Sequence, residues 1–340
     1  MFLIGPAERG LLPDWLIRVG IRRLLERRLG QIAREDGTRP DFVQQLRQGP
    51  IAIETDAPNV QHYEVPTAFF ERVLGPRLKY SCCHYATPET SLAEAEEEML
   101  DLFCRRAGLE DGMQVLELGC GWGSLCLWIA ERYPNCRVLA VSNSRTQREY
   151  IDRRSSEMDL QNVDAVTADV GEFDTTRRFD RVMSIEMFEH VRNHERLMAR
   201  IAGWLDEGGK LAVHIFCHRS AAYPFETEGR DDWMGRHFFT GGIMPSQDLL
   251  LRFQRELVLE ELWTVPGTHY ARTLEDWLLR CDAERRRLLP VFQTDLGPAE
   301  GKRQLQRWRI FFMACAELFA CRGGSEWFVS HYRFAKRSGG

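Results

Sequence analysis

At 340 residues and 44% hydrophobic, the chain can bury a full core and suits one large domain, or a domain with a cap. A formal net charge of −5 gives no overall reason to expect a nucleic-acid partner. Its ten cysteines include no C-x-x-C spacing, which argues against a zinc site or any other metal. Adjacent Cys82 and Cys83 suit a reducing cytoplasm better than a disulfide scaffold.

No apolar run approaches the roughly 18 residues that a spanning helix needs. The opening MFLIGPAERG is too short in its apolar part and too poor in basic residues for a signal peptide, so a cytoplasmic protein is expected. Leu11 to Leu29 follows as an amphipathic helix with Leu12, Trp15, Leu16 and Val19 near helical spacing and Arg18, Arg22, Arg23, Arg27 and Arg28 on the remainder. Such a helix either packs its apolar face on its own domain or lies on an anionic membrane, and it is the one place where membrane contact is conceivable. Thr38 to Asp56 holds Pro40, Pro50 and few apolar residues, so it reads as a mobile connection. The chain thus divides into an N-terminal extension over residues 1–58 and a domain over 59–340. The aromatic-rich stretch 59–85 opens that domain and composition favours a core-facing role for it.

A helix from Leu92 to Ala107 leads into LELGCGWGS, residues 116 to 124. There a strand turns through Gly119, Gly121 and Gly123 into a helix spanning Ser124 to Arg132. This arrangement brings bare backbone N–H groups up to a nucleotide-like ligand. The NAD fingerprint wants glycine where Ser124 stands and an acid after the second strand, where Ser142, Asn143 and Ser144 follow Val141. An adenosyl cofactor therefore fits better than a nicotinamide one, while a glycine turn that merely joins two packed elements stays open.

Strands at Arg137 to Val141, Val163 to Asp169, Phe179 to Ile185 and Lys210 to Phe216 alternate with helices from Thr146 and around Glu195 to Leu205. That alternation predicts an α/β fold with a parallel, doubly wound sheet and ligands at its carboxyl ends. The weightiest residues are then Glu117 to Gly123, Ser142 to Ser144, Asp169 with Val170, Glu186 to His190, and His214 to His218. Residues 218–256 break the alternation with an aromatic, glycine-containing cap. Leu257 to Val265 resumes as a strand, helices cover Leu274 to Val291 and Arg303 to Ala320, and Trp327 to Phe334 closes as a strand.

Glu186, Glu189 and His190 place two carboxylates and an imidazole just after the fourth of these strands, a candidate acid/base set. If the segment is helical, Glu186 and His190 share a face and Glu189 points elsewhere. Read alone, the same residues also suit an exposed helix cap.

LELGCGWGS, VSNSRTQ (141–147), TAD (167–169), YSCCHY (80–85), MFEHV (187–191) and FFTGGIMPS (238–246) together resemble the cyclopropane-fatty-acyl-phospholipid synthase family of S-adenosylmethionine-dependent methyltransferases. SIEMFEH, DDW at 231–233 and AELF at 316–319 are most similar to its coclaurine and pavine N-methyltransferase branch. The resemblance implies a class I, Rossmann-like seven-stranded methyltransferase sheet. It also implies that Tyr80 and Ser81 close over S-adenosylmethionine, that Gly119 and Gly121, beside Glu117, meet its methionine part, that Ser142, Asn143 and Gln147 hold the ribose region, and that Asp169 and Val170 meet the adenine. The family's lipid synthases hold bicarbonate with side chains matching Cys82, Glu189, His214 and Tyr270, so an active-site bicarbonate is a further expectation.

Those synthases carry glycine at position 186, whereas this chain has Glu186, as the amine methylators do. An amine with a pKa of about 10.4 must lose a proton before attacking, which at pH 7 costs on the order of 4.6 kcal/mol. A carboxylate can receive the ammonium and an imidazole can carry the proton off, services that an alkene does not need. The expected activity is N-methylation of a small, aromatic or cyclic, benzylisoquinoline-like amine. The alternatives are a cyclopropane synthase or C-methyltransferase of unsaturated acyl chains, and a cofactor-binding module without catalysis. The oligomeric state is left open.

Overall fold

The computed structural model describes residues 4–35, 40–52, 65–229 and 232–337. Nine strands are present among them: β1 Gln114–Leu118, β2 Arg137–Ser142, β3 Val163–Thr167, β4 Phe179–Ile185, β5 Leu205–His218, β6 Tyr223–Pro224, β7 Ile243–Met244, β8 Leu257–Val265 and β9 Trp327–Lys336. Seven form one sheet in the order β3-β2-β1-β4-β5-β9-β8, and β6 pairs with β7 in a small ribbon. The first five run parallel, and β9 inserts antiparallel between β5 and β8. The chain has the parallel, doubly wound α/β sheet expected from the alternation of elements, with the seven-stranded, Rossmann-like methyltransferase form that the resemblance implied.

The helices are α1 Ile4–Glu8, α2 Asp14–Glu35, α3 Pro40–Gln45, α4 Thr67–Val73, α5 Leu92–Ala107, α6 Ser124–Arg132, α7 Arg145–Glu157, α8 His194–Trp204, α9 Trp233–His237, α10 Gly267–Ala283 and α11 Arg285–Ala320, the last interrupted at Gly297. Strand alternation sorts the core into two layers. Val115, Val138, Ala140, Met183 and Ala212 pack with Phe103 of α5 and Trp128 of α6, while Leu116, Leu139, Val141, Val182 and Leu211 pack with Leu197 and Ile201 of α8. A third, aromatic-rich core joins α2, α4, α10, α11 and the cap, with Phe69, Trp277, Trp308 and Phe312 at its centre.

Two sequence expectations change. Residues 40–52 are not a loose connection: Phe42, Val43, Leu46 and Ile51 are buried against the sheet, and the Ile51 carbonyl accepts from the backbone N–H groups of Arg192 and Asn193. Four apolar residues were enough to anchor a segment whose prolines read as breakers. Residues 53–64, with the expected boundary at 58/59 and the start of the aromatic stretch, and Asp231 of the DDW motif lie outside the described residues. The helix expected from Leu274 begins earlier, at Gly267, which places Tyr270 in its first turn.

The basic helix α2 packs on its own fold. Ile17 and Ile21 are buried, Arg18 is bonded to Glu275 and Glu317, and Arg22 pairs with Glu317. Trp15 and Leu16, by contrast, stay exposed. Among the described residues no helix is long and apolar enough to cross a membrane. All ten cysteines are free thiols, nine of them buried.

Candidate active site

The strand ends converge on two adjoining cavities. One, of about 80 Å³, is lined by Gly119, Gly121, Ser142, Asn143, Gln147, Asp169, Val170, Glu186 and His190. The other, of about 140 Å³, takes in Tyr80, Ser81, Glu117, Gly119, Gly121, Gln147, Glu186, Glu189, His190 and Tyr270. Five residues, Gly119, Gly121, Gln147, Glu186 and His190, border both. The structure thus gathers into one cleft nearly every position singled out from sequence.

The glycine loop is shaped for close approach. Gly119 has φ of +77°, and a Cβ there would fall 2.7 Å from Met187 Cβ. Gly121, at φ +51°, faces open space instead. Beyond the loop, the Ser142 hydroxyl donates to Gln147 Oε1 at 2.7 Å and accepts from the Ser144 N–H. That fixes the Gln147 amide and leaves its buried Nε2 without a protein partner. Glu117 Oε2 is likewise buried and unpartnered, and burial pushes its carboxyl up to about 8. Orphaned polar atoms in a cavity are costly unless a ligand satisfies them. Asp169 Oδ1 accepts from the Gly171 N–H at 2.6 Å, which turns the chain at the cavity rim.

At the other end, Glu186 directly follows β4 with φ of +46°, in the left-handed region that disfavours any residue with a Cβ. Its backbone N–H still donates to the His214 carbonyl at 2.8 Å, so sheet pairing holds this conformation in place. Its carboxylate accepts from the Tyr270 hydroxyl at 2.6 Å and, more weakly, from the Cys82 backbone N–H at 3.4 Å, and His214 Nε2 lies 3.3 Å away. Burial raises the Glu186 carboxyl to about 7, against the opposing pull of the Tyr270 hydroxyl, the Lys79 ammonium and the Cys82 N–H. Glu189, also fully buried, is pushed well above the carboxylate range by burial and by the charge of Glu186. Burial and mutual repulsion disfavour two charges in the pair, and Glu186, the less raised of the two, ionises first.

The segment after Glu186 is not an α-helix but a single 3₁₀ turn, Phe188–His190. Its tighter winding turns Glu189 into the same cavity as Glu186, where the sequence had pointed it elsewhere. Two further expectations shift. The Cys82 thiol is fully buried off the cavity wall, bonded to the Cys83 carbonyl, and burial raises its pKa well above the usual thiol range. His214 stands behind Glu186 rather than on the wall.

Sequence reasoning missed Lys79, a buried lysine on the cavity wall whose Nζ donates to Ser81 Oγ and the Cys82 carbonyl. It also missed the aromatic lining by Phe216, Phe225, Phe239, Trp277, Phe311 and Phe319. Only their density in the cap and C-terminal helix could have signalled it. A larger outer chamber of about 280 Å³, walled by Ile21, Leu24 and Leu25 of α2, meets the inner cavity at Phe225, Met234, Met244 and Leu318.

Residues 53–325 match the family model described as mycolic acid cyclopropane synthetase. (S)-coclaurine N-methyltransferase of Thalictrum flavum subsp. glaucum is 38% identical, with 98% of this chain and 95% of that protein aligned. The crystal structure of a coclaurine N-methyltransferase bound to N-methylheliamine and SAH superimposes with a TM-score of 0.93 at 38% identity, over 98% of this chain and 99% of that one. Cyclopropane-fatty-acyl-phospholipid synthase of Escherichia coli (strain K12) is more distant, 27% identical over 74% of this chain and 66% of its own. With four-fifths of its length under one family model and near-complete alignment to an amine methylator, this chain belongs to the mycolic acid cyclopropane synthetase family.

Proposed function

We propose that the protein is an S-adenosylmethionine-dependent N-methyltransferase of a small aromatic or cyclic amine, benzylisoquinoline-like in shape. The carrying observation is the Glu186 carboxyl, held on a left-handed backbone at the end of an aromatic-lined cavity. An arriving ammonium meets a carboxylate at one end and ring faces around it, both favourable to a cation.

S-adenosylmethionine, when bound, supplies an electrophilic methyl group and leaves as a neutral thioether. The orphaned Glu117 Oε2 and Gln147 Nε2 give its amino and hydroxyl groups partners, and the bare backbone at Gly119 and Gly121 lets its methionine part lie close. Ser142, Asn143, Asp169 and Val170 line the cavity proposed for the nucleoside, with Tyr80 and Ser81 over the inner one. Glu186 binds and orients the ammonium, and His190, on the wall of both cavities, takes the proton whose loss frees the lone pair. Glu189 adds a second carboxyl able to ionise once a cation is present.

Bicarbonate does not fit this site. The Tyr270 hydroxyl, the Cys82 N–H and the His214 edge already surround the Glu186 carboxylate, so the chain's own anion fills the place that a free one would take. The same carboxylate disfavours an alkene acceptor, since a buried charge facing a lipid chain lacks compensation. Beyond the inner cavity, the outer chamber gives a second ring room, with α1 and α2 contributing part of its wall.

Incubating purified protein with S-adenosylmethionine and a panel of tetrahydroisoquinolines, 1-benzylisoquinolines and phenethylamines, read by mass spectrometry, should yield N-methylated amines. Methylation of unsaturated phospholipid with no methylated amine would overturn the reading.

A further inference from the structure

Behind Glu186 lies a buried polar chain that the methyl transfer itself does not call upon. His214 on β5 and His331 on β9 are register partners across the antiparallel pair, and both are fully buried. His331 Nε2 lies 2.9 Å from His214 Nδ1, and His331 Nδ1 lies 2.9 Å from Arg106 Nη1 on α5. Phe103, one turn before Arg106, meets both imidazoles edge-on.

The direction of this chain follows from chemistry alone. An arginine has only donors, so Arg106 donates to His331 Nδ1. His331 must then carry its proton on Nε2 and donate to His214 Nδ1. His214 in turn carries its proton on Nε2, the nitrogen 3.3 Å from Glu186 Oε1. Both tautomers are therefore fixed, which leaves the buried His214 Nε2–H, without a hydrogen-bond partner of its own, 3.3 Å from the Glu186 carboxylate.

We propose that Arg106 and His331 are positioning residues which, through His214, hold Glu186 anionic and aimed at the incoming ammonium. The same directionality closes this route to protons. His214 has no vacant acceptor, and the chain ends at a group that does not deprotonate. The substrate's proton must leave on the open side of Glu186, toward His190. Burial keeps both relay imidazoles well below the ordinary histidine range, so neither becomes a cation that would reset the tautomers. The other groups facing Glu186 are Lys79, Glu189, Tyr270 and the buried thiols of Cys82, Cys83 and Cys315, while Lys79 and His84 act on His331.

The inference rests on the amine-binding role of Glu186, and its test keeps the two separable. N,N-dimethyl-tetrahydroisoquinolinium cannot titrate, so its affinity for the S-adenosylhomocysteine complex, measured by calorimetry from pH 5.5 to 9, reports the protein's own carboxylate. Wild type should lose affinity as pH falls through the Glu186 transition. Arg106→Gln and His331→Phe should move that limb upward by about half a unit or more and match wild type above it, with Arg106→Lys moving it less. An unmoved limb in Arg106→Gln overturns the relay. His331→Phe empties a buried site, and if it does not fold, Arg106→Gln alone decides. A wild-type limb absent while Glu186→Gln binds poorly also overturns the relay but keeps Glu186 as the ammonium site. Equal binding by wild type and Glu186→Gln removes both.

Discussion

The two ends of the cleft are built differently. The donor end is backbone and local spacing: Gly119, Gly121, Ser142 and Gln147 sit within one β-α-β-α run and owe their positions to the sheet. The acceptor end is assembled from distant pieces, with Glu186 from β4, Tyr270 from α10, His214 from β5 and Cys82 from the segment before α5. A rigid cradle suits a ligand that never changes, whereas a side-chain network allows the acceptor to change without disturbing the cradle.

Substitutions at the two ends should therefore have separable signatures. Glu186→Gln should lower turnover by about 10²–10⁴-fold while cofactor affinity, by calorimetry, stays within about twofold; a matching loss of cofactor affinity would merge the two regions. Gly119→Ala should do the reverse. Its Cβ meets Met187 at 2.7 Å on a backbone that resists it, so a stability loss of about 1–3 kcal/mol and a large drop in cofactor affinity are expected in thermal melts and calorimetry. Tyr270→Phe removes one donor from Glu186 and should cost about tenfold in kcat/KM.

The pH profile sharpens the same contrast. Because Glu186 is raised to about 7, its ionised form is present above that pH and lost below it, so amine turnover should fall on the acid side while binding of S-adenosylhomocysteine stays nearly flat. The smallest effect belongs to neither end. Arg22→Ala breaks an ion pair whose arginine is largely exposed and should cost less than about 1 kcal/mol in a melt, with no change in kinetics.

The difference also explains what could be read in advance. The glycine loop and the serine-asparagine turn are legible because their chemistry depends on neighbours in sequence. So are Leu92–Ala107, Ser124–Arg132 and Phe179–Ile185, whose bounds match the expectation. The 3₁₀ turn that swings Glu189 inward was not legible, since a short polar segment carries no period. Lys79, Arg106 and His331 could not be found at all. Each matters only through a partner brought near by the sheet, and nothing in its own neighbourhood marks it.

The left-handed backbone at Glu186 has one last consequence. A free anion occupies its site in proportion to its concentration, but a carboxylate fixed to the strand is present at every turnover. This catalyst should run at the same rate in degassed buffer as in carbonate-rich buffer, its chemistry independent of dissolved carbon dioxide.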